Sequence, residues 1–390
     1  MLIADARAAF AATNAWTYLD SAANTPLPDV SAQAGIDFLT DAQANGRSAD
    51  LWQESLDRSR QGFARLIGAE AQDIVCTKNA TEGVNIVAAG LDAEPGDNVV
   101  LCGALEHPAN ITPWLALQRD GVEVRLVPPD RQAIPPADIV AAMDARTRAV
   151  AVSTVSFMPG YRTDLAPIAE ATRRMDALLV VDATQSAGVL ADDVVAMGVG
   201  AYLTSTHKYL LGLYGQGFLY LNPTWAGRLK SAFVGAAGYR EVGAHPAAEG
   251  FQWQEAEGAR RFETGHAFAS SAIVAASLDL LNAVGPAETE AHVTGLAAKL
   301  ADGLAADDWP VNRDPYGQGQ TQLVTLGDIG AGDLYAVGDP ALARLSAALT
   351  EAKVRHSQRR GALRFAFHLF NNDADVATVL DVAQSVRRNL

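Results

Sequence analysis

Leu178-Leu179-Val180-Val181-Asp182-Ala183-Thr184-Gln185-Ser186 is an apolar run that stops at an acid, with an amide three residues later. A strand apolar on both sides belongs between two layers of helix. Working outward, similar runs recur at Ile74–Thr77, Asn98–Cys102, Val122–Val127, Ala149–Val155, Ala201–Thr204 and Phe218–Leu221. Amphipathic stretches separate them; Val84, Val87, Ala88 and Leu91 share one helical face. This alternation predicts an α/β fold around a mostly parallel sheet. After Gly265 the pattern changes: an Ala- and Leu-rich helix (Ser270–Ala283) leads to strand candidates Gln322–Leu326 and Leu363–Phe370, flanked by helical patterns at Ala341–Lys353 and Asp375–Arg388. The expected division is a segment 1–20 packing with the smaller unit, a large domain 21–265, and a connecting helix with a small C-terminal α/β domain over 266–390.

At 390 residues, 49% hydrophobic and 19% charged, the chain has the balance of a folded protein with a large core. A formal charge of −15 argues against nucleic acid and anionic membranes as partners. Only Cys76 and Cys102 occur, too few for a disulfide framework, so a reducing cytoplasm is the expected compartment. No signal peptide is read at Met1–Phe10, and no apolar run is long enough to span a bilayer.

Four motifs carry chemistry. Ser205-Thr206-His207-Lys208 directly follows a strand, where open α/β sheets bind ligands, and Gly212 to Gly217 would let the backbone pass close to something bulky. Asp182 and Gln185 sit at the end of another strand. Asn79-Ala80-Thr81-Glu82-Gly83 opens a helix, a natural phosphate site. In Glu106-His107-Pro108-Ala109-Asn110, an imidazole is placed to stack on a ring and move protons. Each has an ordinary alternative: a surface lysine, a helix cap at Asp182, a capped helix start, a structural loop histidine.

Taken together, and with Tyr18-Leu19-Asp20-Ser21-Ala22-Ala23, Arg261-Phe262-Glu263-Thr264-Gly265 and Leu363-Arg364-Phe365-Ala366, the motifs resemble the class V aminotransferase family of pyridoxal 5′-phosphate (PLP) enzymes. The branch is that of cysteine desulfurases, selenocysteine lyases, kynureninases and isopenicillin N epimerases. The resemblance covers most of the chain and implies the fold type I architecture, a seven-stranded mostly parallel sheet plus a smaller α/β domain. It implies that Lys208 carries PLP as a Schiff base and shuttles protons, that His107 stacks on the ring, and that Asp182 and Gln185 hold it. Ala80, Thr81, Ser205 and His207 would surround the phosphate, and Arg364, with Asn110, would bind the substrate. A homodimer with shared active sites is implied, the segment after Gly265 reaching the partner; no metal is.

Three departures stand out. The loop where desulfurases carry a cysteine reads Val354-Arg355-His356-Ser357-Gln358-Arg359-Arg360-Gly361, without a thiol. Phe157 stands where members often have Asn, and His266 where many have a phosphate-binding Thr. His356, Arg359 and Arg360 are candidates for reading an extra acidic group on the substrate, or are a solvated basic stretch; Arg47, Arg240 and His245 border the expected mouth. The expected activity is a side-chain (C–S or other β-group) lyase acting on a small amino acid through an external aldimine and a quinonoid, and not a persulfide-forming desulfurase, which needs a thiolate nucleophile. Transamination is the alternative, then epimerisation. A non-enzymatic binder on this fold is disfavoured by intact Lys208, Asp182 and Arg364, and a nucleotide-dependent oxidoreductase by the lack of a G-x-G-x-x-G turn.

Overall fold

The computed structural model describes residues 2–46, 48–241, 253–330 and 333–390. Arg47 and His245 lie outside them, and of Arg240 only the backbone, in a strand, is described. The seven expected strands form one sheet: β1 (Ile74–Thr77), β2 (Asn98–Leu101), β3 (Glu123–Leu126), β4 (Thr147–Ser153), β5 (Leu178–Asp182), β6 (Ala201–Ser205) and β7 (Gly217–Leu221). Their order is β1-β7-β6-β5-β4-β2-β3. Only β7 runs antiparallel to its neighbours, so the carboxyl ends of the other six open on one edge. Along β5 the side chains alternate between two cores, Leu179 and Val181 on one face, Leu178 and Val180 on the other. That double burial is why the run carries no polar residue before Asp182.

The first face is covered by α2 (Ala49–Leu66) and the helix Ala166–Met175; the second by α3 (Ala80–Gly90) and the segment around Trp114. Before α2 comes α1 (Asp29–Asn45), and both lie against α4 (Phe268–Val284). The apolar side of α4 (Val274, Leu278, Leu281) therefore joins the core of the large sheet, and Ser277 Oγ meets Ser31 Oγ of α1 at 2.6 Å. Next comes α5 (Pro286–Ala306), then a three-stranded antiparallel sheet of β8 (Leu323–Leu326), β9 (Ser357–Arg359) and β10 (Ala362–Ala366), ordered β8-β10-β9. It shares a second core with α5, α6 (Pro340–Glu351) and α7 (Asp373–Arg387). Asn372 and Asp375 cap α7 reciprocally. Thr17–Tyr18 pairs in parallel with Val354–Arg355, and Leu19 and Ala22 enter the second core, whereas Ala6 and Phe10 belong to the first. Among the described residues no single helix is long and apolar enough to cross a membrane.

Candidate active site

A cavity of about 510 Å³ opens at the carboxyl edge of the large sheet, where the second core meets it. Asp182 ends β5, and Lys208 follows β6; both line the cavity. The segment carrying Lys208 is pulled against the turn after Asp182 by Gly188, whose φ is +97° and whose absent Cβ would strike the Tyr209 carbonyl. Gly217 works similarly: a Cβ there would lie 2.6 Å from Thr204 O and 2.8 Å from the Asn79 carbonyl carbon. At Gly217 the close neighbour is thus the chain's own backbone at the start of α3.

Burial, reinforced by Arg364, lowers the Lys208 pKa to about 8. A lysine so placed spends part of its time as the neutral amine that attacks carbonyls. One oxygen of Asp182 accepts the Thr184 N–H at 2.9 Å, so the acid does cap its turn, while the residue as a whole is nearly buried at the cavity floor. Behind it runs a buried relay: Thr154 Oγ1 to Ser186 Oγ at 2.6 Å, Ser186 Oγ to Asp192 at 2.6 Å, and Tyr202 OH to Asp192 at 2.7 Å. Gln185 Nε2 donates to Ala22 O at 3.3 Å, and its Oε1 is buried without a partner.

At the opposite wall α3 begins. Asn79 Oδ1 accepts the Glu82 N–H at 2.8 Å, and Ser205 Oγ accepts the Ala80 N–H at 2.9 Å, which leaves the serine proton to be given elsewhere. Thr81 borders the cavity beside them. The His207 ring stacks on Tyr214 with centroids 4.0 Å apart, and burial lowers its pKa to about 4. His107 Nδ1 accepts the Ala109 N–H at 3.2 Å, and burial with nearby Lys208 shifts its pKa downward, so the neutral ring carries its proton on Nε2.

Arg364 reaches the cavity from β10 and is fully buried. Its Nε donates to Ser357 Oγ at 3.3 Å and its Nη1 to Phe157 O at 3.4 Å; Nη2 is buried with no partner. Phe157 stands edge-on to His107 (5.2 Å) and 5.7 Å from the Arg364 guanidinium carbon, a hydrophobic wall between imidazole and cation.

One expectation needs correction. Asn110 does not face the cavity: it is fully buried, donating to Glu106 at 3.0 Å and accepting from Trp114 Nε1 at 3.3 Å. His266, expected where the segment after Gly265 reaches a partner, stands outside the cavity of its own chain, with its Nε2 3.8 Å from Glu263 and its ring against Phe268. Three groups escaped the sequence reading. Tyr214 and Tyr335 line the cavity but sit in turns with no chemical signature. Glu106 is fully buried, accepts Ser153 N at 2.7 Å and Ser153 Oγ, and burial raises its pKa to about 7. It ties the His107 loop to the end of β4, and its place beside the histidine was the only available signal.

Neither cysteine lines the cavity. Cys76 lies within β1 and Cys102 just past β2, both buried, and burial pushes both thiols up to about 12.

The sequence pattern of the aminotransferase class-V family matches residues 17–379, and the chain belongs to that family of PLP-dependent enzymes. It is 33% identical over 290 residues to a probable cysteine desulfurase of Methanothermobacter thermautotrophicus, covering 73% of this chain and 71% of that protein. It is 30% identical over 372 residues to the uncharacterized aminotransferase YcbU of Bacillus subtilis, covering 94% and 93%. Among solved structures it resembles the cystine C–S lyase C-DES in complex with its reaction product cysteine persulfide, with a TM-score of 0.82, 25% identity, and 96% and 99% of the two chains covered. The residues present fit the family's cofactor. A lysine and a carboxylate share one cavity with the open end of a helix, and two of the buried orphan atoms, Gln185 Oε1 and Arg364 Nη2, belong to side chains that line it.

Proposed function

We propose that this chain is a PLP-dependent enzyme acting on a small amino acid, a lyase that expels a side-chain β-group without a protein persulfide. The carrying observation is that Lys208, Asp182 and Arg364 converge on one cavity that no cysteine lines. Lys208 would bind the cofactor, Asp182 and Gln185 would hold its ring, and Thr81, Ser205 and His207 would receive its phosphate at the start of α3. When bound, PLP supplies a protonated ring that draws electrons from a bond broken at the substrate Cα.

The chain's own groups then divide the work. Arg364 anchors the α-carboxylate with its unpartnered Nη2. Lys208, with a pKa near 8, takes the Cα proton and holds it on Nζ. His107 covers one face with a neutral ring, and Phe157 keeps water from the cation beside it. Support for the lyase reading comes from the buried thiols and from the likeness to a cystine C–S lyase. The working unit we infer is a homodimer, in which His266 would face the partner. Exposed Ile36 and Leu39, one turn apart on α1, support such an interface.

The test is the visible spectrum of purified protein mixed with a panel of amino acids. Release of pyruvate, sulfide or another fragment marks the lyase. Conversion of the bound cofactor to its amine form marks a transaminase and overturns the reading.

A further inference from the structure

Four arginines cluster in the last third of the chain, and the structure gives each a different place. Arg355 lies over Trp16 at 4.0 Å, outside the cavity. Arg360 donates to Ala104 O at 2.8 Å and lies 5.8 Å from the Phe157 ring centroid, outside the cavity lining. Arg364 and Arg359 both line the cavity. Strand geometry explains the pairing. Ser357 of β9 is the cross-strand partner of Arg364 on β10, so the two share a face. Arg359, two residues on from Ser357, shares it too. Gln358 and His356 point the other way, both bonded to Ser346 Oγ. Of the three candidates read in sequence, only Arg359 lines the cavity.

Arg359 is half-buried, its guanidinium carbon 4.9 Å from the Tyr335 ring centroid, with Nη1 donating to Gln358 O at 2.8 Å. Most of its N–H donors are left over. The acids near this end are Asp182, on the cofactor side, and Asp20, which hydrogen-bonds Ser357 and feels the charges of both Arg364 and Arg359. Among the described residues none makes an ion pair within 4.0 Å with Arg359, Arg360 or Arg364. Asp20 offsets the two cations only at longer range, so one α-carboxylate on Arg364 leaves Arg359, in the same cavity, without an ion-pair partner.

We propose that Arg359 is a specificity-determining residue that receives a second anionic group, so that the substrate is an amino acid with an acidic side chain. Tyr335 holds the guanidinium over the cavity, and the shared strand face sets the two cations to take the two ends of one dianion. The inference rests on the amino-acid reading of this cavity.

The test uses cofactor-loaded protein. Its absorbance is titrated with aspartate, glutamate and cysteine sulfinate against asparagine, glutamine and alanine. Melting is followed in parallel with succinate or glutarate against butyrate, which cannot react. Acidic amino acids are expected to bind at least about 10-fold more tightly than their amides, and dicarboxylates to raise Tm where butyrate does not. Arg359→Gln should cut the acid-over-amide preference by about 10- to 100-fold. Arg360→Gln, which removes the same charge outside the cavity lining, should keep it. Amino acids that perturb the absorbance with no acid preference, or equal loss in both variants, overturn the inference alone. Absorbance indifferent to every amino acid overturns the underlying function, and this inference with it.

Discussion

Replacing Arg364 with methionine should make the protein more stable and a poorer binder at once. The guanidinium is fully buried, and burial holds its pKa down to about 10, which corresponds to about 3 kcal/mol spent on keeping it charged in the folded chain near neutral pH. Methionine keeps much of the volume and removes that cost. The bonds surrendered, at 3.3 and 3.4 Å, are long. Part of the gain is returned by Asp20, whose carboxyl, already raised by burial, loses the cation beside it. We expect a net gain of about 1–2 kcal/mol, a rise of a few °C in Tm. The sign is fixed by linkage. A base whose folded pKa lies below its ordinary value opposes folding in full below that folded pKa, and the penalty fades as pH rises from there to the ordinary value, so the gain should be level from about pH 6 to about pH 9. Binding moves the other way. Losing a charge-assisted pair to a carboxylate costs about 3 kcal/mol, or about 100-fold in apparent Kd. Melting of the cofactor-loaded protein without substrate, and absorbance titration with amino acid, read the two effects separately. A Tm several degrees lower, with affinity within about threefold of the parent, would refute the reasoning and make Arg364 a structural residue.

Lys208→Ala should lose the visible absorbance of lysine-bound cofactor and let PLP wash out on dialysis; a parent-like spectrum sinks the anchor assignment. Because burial sets the Lys208 pKa near 8, PLP uptake by apoprotein should speed up about tenfold per pH step below about 8 and level off above it. Stopped-flow uptake with a midpoint near the ordinary lysine value would count against that environment. Changing both Cys76 and Cys102 to alanine should leave turnover intact, with at most a small drop in Tm; lost turnover with cofactor still bound would revive a thiol mechanism. Gly188→Ala should cost on the order of 2 kcal/mol or more and weaken cofactor retention, since its backbone is left-handed and its Cβ would strike the Tyr209 carbonyl. An unchanged melting curve would show that this approach relaxes freely.

The large sheet was legible because most of its strands are buried on both faces and so carry apolar runs, the exception being the exposed edge strand β3; all seven appeared within a few residues of their expected bounds. The reading Leu363–Phe370 ran long for the same reason. Phe367, Leu369 and Phe370 are as buried as a strand, but the chain turns at His368, whose N–H is taken by Asn371 Oδ1. The helices α1, α2 and α5 went unread: α1 and α5 mix small and polar residues into their apolar stripes, and α2 is mostly polar. Lys208, Asp182, Gln185 and Thr81 were readable because each follows a strand end, where parallel sheets place ligands. Asn110 was misplaced because a helical turn rotates it from its neighbour His107 into the Glu106–Trp114 pair. Arg359 could not be singled out from its neighbours until the pairing of Ser357 with Arg364 fixed which side of β9 looks inward.

Lys208 and Asp182 hang from the sheet of the first core, whereas Arg364 hangs from that of the second. An amino acid gripped at its amine end by one and at its carboxylate by the other is therefore a rivet through the seam between two cores. Occupancy is expected to slow hydrogen exchange along β10 and the Asp182–Gln185 turn together. A product that has lost either grip loosens the rivet, so the step that ends the chemistry also frees the seam to open.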